Sequence, residues 1–244
     1  MDGLFGVGGM TENAERAEGG GRSLNHFGVY GLTGKYWRLA ESDRCALRTE
    51  WVERMGGTAQ AVHHYQTFPT EVGSDILVWC AIDAADAMAP AGFFDAYARA
   101  LRPFRRYLEV RHLLWGFTRP SEYSRARSRQ EIDPFEVRTL PYLVMYPFTK
   151  TGDWYLMNRD ARQGMMNEHI RIGKQYRDIA QLLVYSVGVQ DQEFVVVYET
   201  AELPLFSRLV SDLRQTEARR FTKSDVPVHT ALHRPASDID RLWP

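Results

Sequence analysis

The chain has 244 residues, 44% of them hydrophobic, and a formal net charge of −1 at pH 7. This size allows one large domain or two small ones, and the balanced charge provides no basic surplus for binding nucleic acid. Cys45 and Cys80 are far apart and belong to no paired motif, which predicts a reducing, cytoplasmic setting. No apolar run approaches the roughly 20 residues that cross a bilayer, so no membrane span is predicted.

The first half of the chain predicts six elements. Residues 1–23 contain few large apolar side chains and end in a run of glycines, so they are predicted to form a flexible N-terminal arm. From residue 24 to 120 the pattern predicts the order strand, helix, strand, strand, helix, strand. The strands are expected at 25–30, 59–67, 74–82 and 107–117, and the helices at 37–55 and 91–101.

Residues 141–234 repeat that order. Strands are expected at 143–148, 181–187, 193–198 and 226–232, and helices at 160–176, with a capping box of Asp160 and Gln163, and at 203–217. Two β-α-β-β-α-β units predict an α+β fold of two tandem ferredoxin-like halves that form a dimeric α/β-barrel-like subunit.

The two halves are joined by a predicted connecting loop, residues 121–140, and the chain closes with a tail at 235–244. The loop is rich in arginine. Such arginines are usually solvated, but a loop of this length can also cover a ligand that carries carboxylates. The four arginines are Arg125, Arg127, Arg129 and Arg138.

His169 is the first candidate for chemistry. Met165, His169, Ile172 and Tyr176 follow helical spacing, which puts the imidazole in the middle of an apolar stripe. A buried imidazole needs a partner. Two interpretations stay open: a backbone carbonyl in the core, or a metal or haem iron whose pocket the apolar residues line. The neighbouring Met165-Met166 pair indicates packing.

Glu217 is the second candidate. Phe206, Val210, Leu213 and Glu217 also follow helical spacing, which predicts a carboxylate on the buried side of the last helix. A buried carboxylate needs a cation or strong donors. It could pair with Lys150, or it could accept the N–H of a metal-ligating His169. By contrast, the His63-His64 pair lies on a predicted strand with one ring on each face, which is a poor arrangement for binding one metal ion.

Six motifs occur together and in order between residues 146 and 221, and with them the sequence resembles the chlorite dismutase superfamily, in particular its coproheme decarboxylase branch. The resemblance covers nearly all of residues 141–234, whereas over 25–120 it depends mainly on element order. It implies haem in the C-terminal half and a ring-shaped homo-oligomer, commonly a pentamer. The motifs are Tyr146-Pro147-Phe148-Thr149-Lys150, Trp154-Tyr155-Leu156, Glu168 to Gly173, Gln181 to Gly188, Gln192-Glu193-Phe194 and Thr216 to Phe221.

The resemblance implies roles for these residues. His169 matches the proximal iron ligand, with Glu217 and Lys150 in its supporting network, and Trp154 matches an aromatic residue at the haem edge. Gln181 stands where chlorite-decomposing members have a distal arginine. An amide lacks the charge and the bidentate fork of guanidinium, so chlorite dismutation is disfavoured. Glutamine at this place is familiar in coproheme decarboxylases.

Tyr146 matches the tyrosine that becomes a radical beside a haem propionate in those enzymes. Lys150 could contact a second propionate as well as Glu217, and the choice stays open. Lys174 falls where relatives often have an arginine that reaches a propionate. Some relatives carry a distal histidine in the connection, but here no histidine occurs between His112 and His169.

The resemblance therefore predicts a cytoplasmic enzyme that uses hydrogen peroxide to decarboxylate two propionates of iron coproporphyrin III, giving haem b through a tyrosyl radical. The expected ligands are coproheme and haem, and a transient contact with a ferrochelatase is suggested by the pathway. Two alternatives are a non-enzymatic haem-binding or haem-transfer protein of the same fold, and a chlorite- or peroxide-degrading haem enzyme.

Overall fold

The structure is a computed structural model that describes residues 22–124, 128–136 and 140–238. Nearly all of the predicted N-terminal arm and most of the predicted tail lie outside these residues. The same holds for Arg125, Arg127 and Arg138 of the connection.

The N-terminal half has the predicted order of elements. The expected first helix is divided into a single turn and a longer helix, which ends at the Gly56-Gly57 pair. The elements are β1 (Ser23–Leu32), α1 (Gly34–Trp37), α2 (Glu41–Gly56), β2 (Ala61–Gln66), β3 (Ile76–Asp83), α3 (Ala89–Leu101) and β4 (Leu108–Phe117), with a 3-10 turn at Arg102–Phe104 after α3.

The C-terminal half repeats this order, including the single helical turn before its first long helix, and has one additional short strand. The elements are β5 (Tyr142–Lys150), α4 (Gly152–Leu156), α5 (Arg159–Gly173), β6 (Ala180–Tyr185), β7 (Phe194–Thr200), α6 (Leu203–Leu213), β8 (Thr222–Ser224) and β9 (His229–Arg234), with 3-10 turns at Glu217–Phe221 and Ala236–Asp238.

Two local predictions in this half were wrong. The capping residue of α5 is Asn158, whose side chain accepts a hydrogen bond from the N–H of Ala161 at 2.9 Å, so Asp160 and Gln163 do not form the expected capping box. The last helix ends at Leu213 rather than continuing to Glu217. The chain then turns at Thr216, and Glu217 begins a separate 3-10 turn.

Eight of the strands form one closed, antiparallel sheet in the order β7-β6-β4-β1-β3-β2-β9-β5, in which β5 pairs back onto β7, and the short β8 pairs with the end of β5. The first four strands run β4-β1-β3-β2, and their counterparts in the second half run β9-β5-β7-β6, so each half has the same internal order. This confirms the prediction of two ferredoxin-like halves in a barrel-like subunit. The halves meet at short seams, where Phe117 pairs with Tyr185 and β2 pairs with β9.

Side chains alternate between the two faces of the barrel wall. The inner faces of both halves build one shared core that includes Phe27, Trp79, Leu143 and Val197. On the outside, α2 and α3 cover the first half, and α5 and α6 pack against the second. None of the helices within the described ranges is long and apolar enough to cross a membrane.

Candidate functional site

The outer face of β5, β6 and β7 is only partly covered by helices, and we call the open area above this sheet, beside α5, the cleft. In β6 the side chains of Leu182 and Val184 lie in the barrel core, so those of Gln181 and Leu183 point to the outer face, and both are exposed. Leu183 is 36% exposed although β6 has neighbours on both sides. This face of the sheet therefore presents one apolar side chain, Leu183, and one amide, Gln181, to solvent.

Helix α5 forms one wall of this cleft. Its Ile172 packs against the cluster of Val144, Val196 and Tyr198 on the sheet. Nevertheless, α5 has no fully buried residue, although Met165, Met166, His169 and Ile172 are all partly buried. A helix whose apolar stripe is only half covered leaves room for a further apolar group against the sheet.

His169 has no hydrogen-bond partner for either ring nitrogen among the described residues, and its Nδ1 is shielded from solvent. Burial, together with the charge of Lys150, lowers the pKa of His169 to about 4, while Glu168 acts in the opposite direction. The ring is therefore neutral at pH 7 and keeps a free lone pair. Buried imidazoles are normally hydrogen-bonded, so this one fits a metal ligand better than a core residue bound to a carbonyl.

Glu217 lies elsewhere than predicted. Its side chain is 62% exposed and pairs at 3.1 Å with Arg220, which is 75% exposed, and its N–H donates to Glu168. The expected buried carboxylate, paired with Lys150 or supporting His169, is therefore wrong. The physical reason is the end of α6 at Leu213, which removes Glu217 from the helical stripe on which that prediction depended.

Lys150 stands where the register of β5 shifts, next to β8. Its Nζ lies 4.4 Å from the centre of the Trp154 ring, a cation–π contact. Burial lowers the pKa of Lys150 to about 8, and the charge of Arg219 adds to this effect, whereas the charge of Glu193 opposes it. Glu193 also accepts a hydrogen bond from the Lys150 backbone N–H at 2.6 Å. The carboxylate that contacts Lys150 and acts on its charge is thus Glu193, and not Glu217.

Tyr146 projects from β5 onto the same outer face and stacks with Tyr198, with ring centres 6.1 Å apart. Burial raises the pKa of Tyr146, and the charge of Asp225 adds to this effect. A hydrogen bond with Tyr198 and the charges of two arginines act against it. The phenol therefore keeps its proton at neutral pH.

The sequence reasoning missed Arg219 as a site residue. Arg219 forms an ion pair with Asp225 at 2.8 Å, and its positive charge acts on both Tyr146 and Lys150. The signal was present, because Arg219 belongs to the Thr216 to Phe221 motif. Its side chain lies over the site because the 3-10 turn brings it back towards β5, which no helical pattern predicts.

The other predicted residues are distributed around the cleft. Trp154 is buried in α4, with its ring 5.9 Å from that of Phe221 and 6.3 Å from that of Tyr123. Gln181 presents an exposed side chain on the cleft floor, and its backbone pairs with the connection at Gln130 and Ile132. Lys174 caps the C-terminus of α5 and is exposed.

A family model described as Chlorite dismutase matches residues 44–234 of the chain. The chain therefore belongs to the chlorite dismutase family, in agreement with the resemblance of its motifs.

Individual relatives agree. The chain is 26% identical over 186 residues to the coproheme decarboxylase of Mycolicibacterium smegmatis, which covers 73% of this chain and 74% of that protein. The fold of this chain matches the crystal structure of the putative chlorite dismutase TA0507 with a TM-score of 0.77 and 24% identity, over 91% of this chain and 100% of the other. The structure of the chlorite dismutase from Candidatus Nitrospira defluvii in complex with imidazole matches with a TM-score of 0.73 and 19% identity, over 95% of this chain and 100% of the other.

Proposed function

We propose that this protein is a coproheme decarboxylase, with His169 as the axial ligand of the haem iron. The observation that carries the proposal is the neutral imidazole of His169, which has no hydrogen-bond partner among the described residues and lies on α5 beside a half-covered apolar cleft, with a phenol and an ammonium group on the neighbouring strand β5. The relative from Mycolicibacterium smegmatis supports this choice of activity.

His169 suits the proposed ligation. Iron needs a deprotonated ring nitrogen, and burial keeps this imidazole neutral at pH 7. Met165 and Ile172 lie on the same side of α5 and provide the apolar surroundings that a porphyrin face requires. The bound haem would supply a redox-active iron at which hydrogen peroxide is reduced.

Lys150 supports recognition of a propionate. With its pKa lowered only to about 8, the ammonium remains largely protonated at pH 7. It forms no ion pair with any carboxylate in the described part of the chain, and it lies in a poorly hydrated position over Trp154. A cation in such a position gains from a carboxylate, so we assign Lys150 to a propionate.

Tyr146 is the proposed hydrogen-transfer residue. Because its pKa is raised, oxidation removes an electron and the phenolic proton together, and the resulting radical takes a hydrogen atom from the propionate β-carbon. Overall, each propionate, one peroxide and one proton give a vinyl group, carbon dioxide and two water molecules. Tyr198 holds the phenol in place by stacking against it.

The test is to load the protein with ferric coproheme, add hydrogen peroxide stepwise and measure the porphyrin mass. We expect a product with one vinyl group and then haem b. Tyr146→Phe should abolish this conversion while leaving coproheme binding unchanged. Tyr142→Phe, on the same face of β5, serves as the matched control and should convert normally.

Other outcomes would overturn the proposal. Coproheme that binds but keeps all its propionates would indicate a haem-binding or haem-transfer protein. Oxygen evolved from chlorite, without decarboxylation, would indicate a chlorite-degrading enzyme. Gln181 disfavours that activity, because an amide cannot replace a distal guanidinium.

A further inference from the structure

Two histidines close one end of the barrel, away from the cleft. In β4, Leu114 points into the barrel core, so His112, two residues earlier, faces the same way. In β9, Ala231 also points into the barrel core, so His229, two residues earlier, faces inward as well. Both imidazoles line a surface pocket of about 350 Å³, together with Glu71 from the loop between β2 and β3.

Glu71 fixes the orientation of His229. Its Oε2 lies 3.0 Å from Nδ1 of His229 and also accepts a hydrogen bond from Ser74, while its Oε1 accepts from the N–H of Thr230 at 3.1 Å. An ionised carboxylate only accepts hydrogen bonds, so Nδ1 of His229 carries the proton. The other ring nitrogen, Nε2, is left with a lone pair.

Within the described residues, that lone pair has no hydrogen-bond donor. The His229 side chain is only 3% exposed, and its Nε2 is shielded from solvent without a partner in this part of the chain. Leaving a buried acceptor unsatisfied costs free energy, so the arrangement favours an electron-pair acceptor at this point. A carboxylate–histidine pair of this kind is the usual support of a metal-binding imidazole.

His112 provides a second ligand. Its ring centre lies 5.1 Å from that of His229, its side chain is exposed, and neither of its nitrogens forms a hydrogen bond within the described ranges. Two imidazoles bound tetrahedrally to one ion, with metal–nitrogen distances of about 2.0 Å, have ring centres about 5 Å apart.

We propose that His112 and His229 together bind one divalent transition-metal ion of the zinc and copper class, with Glu71 orienting His229. Imidazole is a preferred ligand of these ions. The charges nearby permit a cation, because Arg111 donates to the carbonyl of Gly73 at 2.7 Å and pairs with Glu109 at 2.8 Å.

The site would bind with modest affinity and would connect the two halves. Among residues 22–124, 128–136 and 140–238, no group of three or more His, Cys, Asp or Glu is arranged to hold a metal ion, so water would complete the coordination. Since β4 belongs to one half and β9 to the other, a bound ion would link them across the barrel end. Binding to the folded state alone would raise the thermal midpoint.

The experiment uses the untagged full chain carrying His169→Ala, which removes the proposed haem ligand as a competing imidazole. Calorimetric titration with Zn²⁺ should show one ion per chain, and adding Zn²⁺ should raise the thermal midpoint. His112→Ala should weaken binding at least tenfold and abolish that rise. Pulsed EPR with Cu²⁺ should detect two imidazole nitrogens in the parent protein and one in this variant.

His233→Ala is the matched control, because His233 is another β9 imidazole near the opposite barrel end, and it should bind Zn²⁺ like the parent. Equal binding by His112→Ala and the parent would overturn the proposal. So would an equal loss in His233→Ala, which would indicate unspecific binding to histidines. Because His112 is exposed, its replacement leaves the barrel core intact.

Discussion

The two halves share one strand order but use their helices differently. Helix α2 buries Arg48, Trp51 and Met55, whereas its counterpart α5 buries no residue completely. The first half thus has a closed helical layer over its sheet, and the second has an open one. Two halves with the same strand order can therefore differ in role: the first buries its helices and stabilises the fold, whereas the second buries less helix surface and so forms a cleft.

The largest expected effect is on the closed layer. Trp51 is fully buried, with its ring 5.2 Å from Phe104 and 5.9 Å from Tyr30. Trp51→Ala should lower the free energy of unfolding by about 3–5 kcal/mol, measured by chemical denaturation. The counterpart change in the open layer, Ile172→Ala, should cost only about 1–2 kcal/mol because Ile172 is partly exposed. Equal losses would contradict the comparison.

Replacing the proposed ligand should separate binding from stability. We expect His169→Ala to weaken haem binding at least a hundredfold, which corresponds to about 2.7 kcal/mol, and to remove the imidazole-ligated spectrum. Unfolding should change little, because His169 makes no hydrogen bond within the described residues. His64→Ala, which removes a buried imidazole from the first half, should leave the spectrum unchanged. A retained imidazole spectrum in His169→Ala would refute the assignment.

Acid should act on both halves through their buried imidazoles. Burial lowers the pKa of His26 to about 4, below the ordinary value of 6.5, so the unfolded chain takes up the proton first. The stability contributed by the neutral ring is complete above pH 6.5 and is lost as the pH falls towards 4. His26→Phe, among Phe93, Phe94 and Tyr97, should spare about 2 kcal/mol of the loss between pH 7 and 5. The measurement is the free energy of unfolding of both proteins by chemical denaturation at pH 7 and pH 5. The same pH dependence in His26→Phe and the parent would contradict the prediction.

The smallest effect is expected for Glu217. Because its ion pair with Arg220 is exposed, Glu217→Gln should change the free energy of unfolding by less than about 0.5 kcal/mol and leave haem binding unaltered. Glu193→Gln should instead lower the pKa of Lys150 further, because the negative charge of Glu193 raises that pKa. A marked loss of haem affinity in Glu217→Gln would restore the supporting role that the helical pattern predicted.

Much of the fold was predictable because alternation and helical spacing are local properties. The order of strands and helices in both halves and the α+β class follow from them. The end of α6 was not predictable in this way. Phe206, Val210, Leu213 and Glu217 keep helical spacing to the last residue, yet the chain leaves the helix at Leu213 and places Arg219 instead of Glu217 beside the site.

The sequence by itself determined which residue types could do chemistry and in which elements they stand: an imidazole on an apolar stripe, a phenol in a strand and a lysine just beyond it. Only the tertiary structure decided their partners, namely Glu193 near Lys150, Tyr198 against Tyr146, and no hydrogen bond for His169 in the part of the chain that the structure describes. The physical reason is that periodicity records which side of an element faces inward. The groups that meet there come from distant parts of the chain, and closure of the barrel brings them together.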